Sequence, residues 1–448
     1  MKAYRAALLY FNPNSEDVTE VIYEVDGFLL VDKNRQGQEV VRAIGSWQEL
    51  SPKYPEISAT FFPGKIIAPG FVDMHLHYPQ INVMGSPAEG LLPWLEKYTF
   101  PEEMRFFDPA YCKEVAKFFI SQLLRNGVTT ALTFATSHIA SVDALMEEAR
   151  KNQLRIITGL CLMDRNSPTG LLNHRVMGSS HNATEQSLID SESLIKKWHD
   201  QNRLGYAITP RFVPTSSLEQ LKGAGELAHQ YPNVWIQSHV AENKEEVNWV
   251  KSLFPNSRSY LSIYNDFGLM RDRAIYAHCI HFDDEDRALM RDTGSAAAVC
   301  PTSNLFLGSG FFDYARAEKL GMSYGLASDI GGGTTMNPFK TMLAAYQIAR
   351  EGSLKNGVCL SPQNLWWQHT LGGARALGLD GGGGRPGVGN LQVGFEADFI
   401  VLDPQATPLL ARRTAQAESV AELLMAMIVL GDDRLIEQTV VSKRNLLS

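Results

Sequence analysis

Pro69-Gly70-Phe71-Val72-Asp73-Met74-His75-Leu76-His77 is the stretch on which the fold turns. The apolar run Lys65–Val72 reads as a β-strand and delivers two histidines, one residue apart, at its end. Side chains alternate faces along a strand, so His75 and His77 project to the same side. Two imidazoles converging at a strand end form half of a divalent-metal site, and the rest of the chain must supply the other half.

Beyond Pro69 the texture alternates between strands and helices. Ala110–Asn126 predicts a helix and Val128–Phe134 a strand, followed by helix Ser141–Asn152 and strand Arg155–Cys161. The pattern continues with helix Glu185–Gln201, strand Gly205–Pro210, helix Leu218–Gln230 and strand Val234–His239. Helix Lys244–Phe254, strand Ala274–His278, helix Asp283–Thr293, strand Ala296–Val299, helix Tyr314–Leu320 and strand Ser323–Ala327 complete it. Counting the histidine strand first, about eight strand–helix units result, the period of a (β/α)8 TIM barrel.

The first 65 or so residues are different. Ala6–Asn12, Val18–Val25, Phe28–Val31 and Val40–Gly45 are β-rich and separated by Asn, Asp and Gly. Phe399–Leu402 and Thr439–Val441 are strand-like again. The expected fold is α/β: a barrel over 68–387 inserted into a small β-sandwich domain made of 1–67 and 388–448. The run Gly381–Gly384 reads as a flexible connector, because it lacks the Lys-Ser/Thr of a phosphate loop and opens no helix.

Composition sets the partners. The 448 residues carry a net charge of −8 and no basic run, which argues against a nucleic-acid backbone as ligand. No stretch approaches the roughly 20 apolar residues needed to span a bilayer, and the N-terminus lacks the apolar core of a signal peptide. The five cysteines (Cys112, Cys161, Cys279, Cys300, Cys359) are odd in number and never spaced as C-x-x-C, as expected of reduced thiols. The expected location is cytoplasmic, and the sequon Asn182-Ala183-Thr184 reads as chance.

Catalytic residues of a barrel enzyme sit at the C-terminal ends of its strands. His75 and His77 end the first strand, His239 and His278 end two later ones, and Asp329 follows Tyr324–Ser328. Three histidines and an aspartate suit Zn²⁺ or Fe²⁺ and leave a position for water. Glu242, three residues past His239, can reach back over the metal as proton shuttle; a helix-starting glutamate would look the same. His138, His174, His181, His199, His229 and His369 fall in helices or polar loops and read as structural. His281, three residues after His278, reads either as support for the site or as a helix-start surface residue. The strand Gly205–Pro210 holds no lysine that could be carboxylated to bridge two metals, so one metal per subunit is expected.

These residues together resemble the amidohydrolase superfamily, in its mononuclear deaminase branch, over essentially the whole chain, including the return segment Leu391–Asp403. Within that branch several motifs are similar to those of the guanine deaminases. They are Asp73–Gln80, Leu92–Pro101, Thr209-Pro210-Arg211-Phe212, Ser238–Asn243, Pro301–Leu305 and Ser328–Gly333. The resemblance implies His75, His77, His239 and Asp329 as zinc ligands and His278 as hydrogen-bond partner of the metal water. It implies Glu242 as proton shuttle, assisted by Asp329, and Gln80, Arg211 and Phe212 as purine contacts. Arginine suits O6 and N7, a carboxamide donates and accepts, and a phenyl ring stacks. The implied reaction is attack by a zinc-activated water on C2 of guanine, giving xanthine and ammonia in purine catabolism, by a homodimer. Two rivals remain open at this level. One is the same barrel acting on another aminated or chlorinated N-heterocycle; the other is a non-enzymatic assembly protein on this scaffold.

Overall fold

The computed structural model describes residues 1–87, 89–173, 181–351 and 357–442; His174 lies outside them. Eight parallel strands follow one another in chain order around a near-closed barrel. They are Phe71–His77, Val128–Phe134, Arg155–Thr158, Gly205–Pro210, Trp235–Val240, Ala274–His278, Ala296–Val299 and Ser323–Leu326. A short strand, Cys161–Leu162, adds to the outer end of Gly205–Pro210. The seam between the last and first strands is closed by hydrogen bonds at residues already singled out. Asp329 N–H donates to His75 O at 2.9 Å, His77 N–H to Ile330 O at 2.5 Å, and Ser328 N–H to Asp73 Oδ1 at 3.1 Å.

Mostly small and branched residues fill the barrel: Val72, Met74, Leu132, Ile157, Ala207, Ile275, Ala277, Ala296 and Ala298 belong to one buried cluster. The outer faces, with Phe71, Leu76 and Tyr78, pack instead against the surrounding helices. Residues 72 and 74 thus face in, while 76 and 78 face out. A register shift between Asp73 and Leu76 changes the phase, as a bulge does, and turns both His75 and His77 toward the barrel mouth.

A second, six-stranded, β-sandwich-like sheet joins both chain termini. Its order is Ile436–Val440, Phe399–Leu402, Ala59–Pro69, Lys2–Phe11, Val21–Lys33 and Glu39–Ser46, with only the central pair parallel. Two sequence expectations change here. Val18–Val25 and Phe28–Val31 are one strand, because Asp26-Gly27 forms no turn: Gly27 pairs with both Ala6 and Ser46. Lys65–Val72 is two strands, because Ala59–Pro69 belongs to the small sheet and the chain crosses to the barrel at Gly70. A Cβ there would lie 2.3 Å from the Thr129 hydroxyl, so only glycine fits the crossing without displacing the second barrel strand.

One buried ion cluster ties sheet to barrel. Arg203, just before the fourth barrel strand and 2% exposed, pairs with Asp398 and Glu396, each 1% exposed. Its guanidinium also donates to Ser442 O at 3.1 Å. Asp398 O in turn accepts the Gly70 N–H at 3.1 Å, directly ahead of the histidine strand. The glycine run forms a single 3-10 turn, Gly382–Gly384, followed by Arg385 paired with Asp200 at 2.9 and 3.0 Å. Asn182 of the sequon caps helix Ala183–Trp198 by accepting the Glu185 N–H. Among the described residues no helix is long and apolar enough to cross a membrane.

Candidate active site

Four strand ends converge at the barrel mouth. His77 Nε2 and His239 Nε2 lie 3.0 Å apart, and the His75 ring centre is 4.9 Å from that of His77 and 4.8 Å from that of His239. Asp329 Oδ1 stands 3.2 Å from His75 Nε2 and 3.5 Å from His77 Nε2. All four side chains are buried. His239 Nδ1 lies 2.6 Å from Arg211 O, a carbonyl that can only accept, so the proton sits on Nδ1 and Nε2 presents its lone pair. Burial and the neighbouring imidazoles hold His77 and His239 well below the usual histidine range, so both are neutral. Burial also pushes Asp329 up, but His75 beside it and the other surrounding imidazoles outweigh this and bring it to about 2.

Such a set fits a divalent cation. Neutral nitrogens face one another across a gap beside an ionised carboxylate, and His75 Nε2 is buried without a hydrogen-bond partner. Cys300 stands close enough to His75, His278 and Asp329 to offer a further donor. Burial, with Asp329 nearby, pushes its thiol well above the usual range, so it stays protonated and is the poorer ligand.

Glu242 and His278 complete the mouth. His278 Nδ1 donates to Asn304 Oδ1 at 2.9 Å, leaving Nε2 facing Glu242 Oε2 at 3.4 Å and Asp329 Oδ2 at 3.8 Å. Burial first, and then the charge of Asp329, raises Glu242 to about 8. Its Oε1 accepts from Ser309 Oγ at 3.1 Å, and its backbone N–H donates to Glu246 Oε2 at 2.9 Å. Glu246, itself raised to about 7 by burial, is held by Tyr260. His281 is not in the pocket wall; it lies 3.0 Å from Ser309 O, one residue behind Glu242.

Gln80, Arg211 and Phe212 line the same pocket, with His77, His239, Glu242, His278 and Asp329. Leu91, Trp94 and Leu95 wall it from one side and Leu307 from another. The three come from Leu91–Trp94 and the π-helical turn Leu95–Thr99, which cover the mouth between the first strand and its helix. Every residue read as a site candidate from the sequence therefore falls in one buried cluster, with His75 behind the wall. Sequence reading gave no role to Glu103, Asn304, Ser309 or Glu246. Of these Asn304 had a signal, because it lies inside the Pro301–Leu305 motif.

A model of the amidohydrolase family matches residues 66–442. Guanine deaminase of Escherichia coli K12 is 43% identical over 433 residues, 96% of this chain and 93% of that protein. The solved E. coli guanine deaminase superposes with a TM-score of 0.90 at 42% identity, covering 98% of both chains. Guanine deaminase of C. acetobutylicum, solved with guanine bound in its active site, superposes at 0.86 with 32% identity and 98% coverage of both.

Proposed function

The chain belongs to the amidohydrolase family, and we propose that it hydrolyses guanine to xanthine and ammonia. The observation that carries this reading is the convergence of a metal-fitting cluster, a carboxyl raised toward neutral pH by burial, and a polar edge of Gln80 and Arg211 in one buried pocket. Full-length similarity to guanine deaminases supports it.

In this reading His75, His77, His239 and Asp329 hold one Zn²⁺, or Fe²⁺ on the same donors. The metal, when bound, supplies a water whose pKa falls to about 7. The chain's own residues do the rest. Gln80 and Arg211 grip the carbonyl and ring-nitrogen edge of the purine, and Phe212 packs against its face. Binding them there orients C2 and its amino group toward Glu242 and His278.

Glu242 gives the proton it carries near neutral pH to the ring nitrogen as water adds at C2; Asp329 helps accept the protons of that water, one of which restores Glu242 while the other passes through Glu242 to the departing amine. His278, fixed by Asn304, offers Nε2 to the water. Water adds, ammonia leaves, and xanthine remains, so atoms and protons balance. Leu91, Trp94, Leu95 and Leu307 keep bulk water from the reacting edge. The five free cysteines suit a reducing cytoplasm.

Purified metal-loaded protein mixed with guanine should form xanthine and ammonia in equal amounts. No guanine turnover, beside rapid turnover of another aminated or chlorinated N-heterocycle, would replace guanine as the substrate.

A further inference from the structure

Glu103 is fully enclosed and takes no part in the chemistry above. It stands in Phe100–Met104, the helix that continues the cover over the pocket. Its Oε1 accepts from Gln80 Nε2 at 2.8 Å, and its Oε2 accepts from Arg211 Nη1 at 2.5 Å. One carboxylate thus touches both polar side chains of the purine edge. An ionised carboxylate has no hydrogen to give, so both partners must present donors to it.

For Gln80 this is decisive, because a carboxamide can sit in two orientations that differ only in which end donates. The backbone N–H of Gly331, which can only donate, meets Gln80 Oε1 at 3.2 Å on the other side. Carboxylate and backbone amide therefore demand the same orientation. What they leave free is one hydrogen on Nε2 and one lone pair on Oε1. Arg211 is 3% exposed. Burial works against its charge, and the Glu103 carboxylate more than offsets this. Phe100, from the same helix as Glu103, places its ring 5.3 Å from the guanidinium carbon.

We propose that Glu103 is a positioning residue that fixes the donor–acceptor polarity of Gln80 and the orientation of Arg211, and so sets recognition of the guanine carbonyl edge. The inference rests on the guanine-hydrolysing reading of this pocket. Glu103→Gln breaks the logic. If the oxygen of the new carboxamide accepts from Arg211, its amino group points donor-to-donor at Gln80. Turning Gln80 over relieves that contact but sets Nε2 against the Gly331 N–H. In the double variant Gln80→Glu/Glu103→Gln, the carboxylate at position 80 accepts from both Gly331 and the carboxamide at position 103. Charge and hydrogen bonding are then restored, but position 80 can no longer donate to a purine.

The test measures KM and kcat for guanine, Kd for xanthine, metal content and thermal midpoint in the parent and both variants. E103Q should raise KM and the xanthine Kd about 10–100-fold, the range for losing a good bidentate base contact, with kcat reduced less and metal retained. The double variant should recover the parent's thermal midpoint, with xanthine binding still weak because position 80 no longer donates; a merely structural Glu103 would instead give an E103Q that loses stability with its xanthine Kd unchanged. The proposal is overturned if E103Q binds xanthine within about twofold of the parent, or if the double variant regains affinity together with stability. A parent that does not turn over guanine overturns the functional reading and this inference with it. An active parent with unaltered variants overturns this inference alone.

Discussion

Replacing Arg203 with methionine tests what holds the histidine strand in place. The side chain is enclosed between the barrel base and the small sheet, where it pairs with Asp398 and Glu396. Methionine fills most of its volume but leaves two buried carboxylates without this partner. Removing one member of a buried ion cluster costs about 3–5 kcal/mol, most of it from the uncompensated charge left behind. Over a chain of this length the thermal midpoint moves only about 1 °C per kcal/mol, so urea unfolding is the better assay. The pH dependence carries the mechanism. Burial already raises the Asp398 carboxyl in the parent, with Arg203 pulling the other way. Without Arg203 its folded-state pKa rises further above the unfolded value, so the penalty is complete at pH 8 and fades as pH falls through that raised pKa. The gap between parent and R203M should therefore be wide at pH 8 and narrower at pH 5. Adding Asp398→Asn to R203M should recover part of the loss at pH 8. A variant within about 1 kcal/mol of the parent at pH 8, or a gap that ignores pH, would refute the clamp.

Three further outcomes are expected. Glu242→Gln should retain its metal by elemental analysis while turnover falls about 10²–10⁴-fold, the usual weight of a general acid–base group; near-normal kcat would remove Glu242 from the proton path. Chelation should abolish guanine turnover and lower the thermal midpoint, since a ligand that binds only the folded state stabilises it, and added Zn²⁺ should restore both; activity that survives exhaustive chelation would end the metal assignment. His369 is buried, and that burial lowers its pKa to about 4, while its Nδ1 donates to Val72 O at 2.9 Å. Between pH 6.5 and 4 the unfolded chain binds a proton that the folded chain refuses, so this residue should cost about 2–3 kcal/mol of stability by pH 4.5. His369→Asn keeps a donor for Val72 and removes the titration, so its urea midpoint should fall less on acidification; equal falls would show that the cost lies elsewhere.

What was legible in the sequence was whatever depends on local order. Strands such as Val128–Phe134, Gly205–Pro210 and Ala274–His278 are short, largely apolar runs between polar or turn-forming segments, and their bounds agree with expectation. His75, His77, His239, His278 and Asp329 stood out because each lies at or just past such a run. Helix Val420–Leu430 was missed because its sequence, VAELLMAMIVL, is apolar nearly all round and shows no helical period. Glu103 was hidden for another reason. In Pro101-Glu102-Glu103 it looks like an ordinary first-turn acid. Its partners Gln80 and Arg211 stand 23 and 108 residues away, so only the folded chain reveals the contact.

The histidine stretch shows why a pattern can be right for an incomplete reason. Strict alternation from Val72 and Met74, which face inward, would send His75 and His77 outward against the helices. The register shift between Asp73 and Leu76 reverses the phase, and the Asp73 carboxylate holds it by accepting the N–H of both His75, at 3.2 Å, and Ser328, at 3.1 Å. The rest of the rim uses the same kind of device. Ala241, His278, Cys279 and Asp329 all have left-handed backbone, with φ between 49° and 75°. For residues with a side chain that conformation costs on the order of 1 kcal/mol or more each. Backbone bonds such as Cys279 N–H to Val240 O at 3.2 Å and Asp329 N–H to His75 O at 2.9 Å hold them there. These departures from regular strand lie at or beside the side chains that gather at the mouth. The barrel therefore presents its chemistry at the points where its strands stop being regular. Residues such as Asp73, which reach no substrate in the proposed reading, belong to the site as much as those that do.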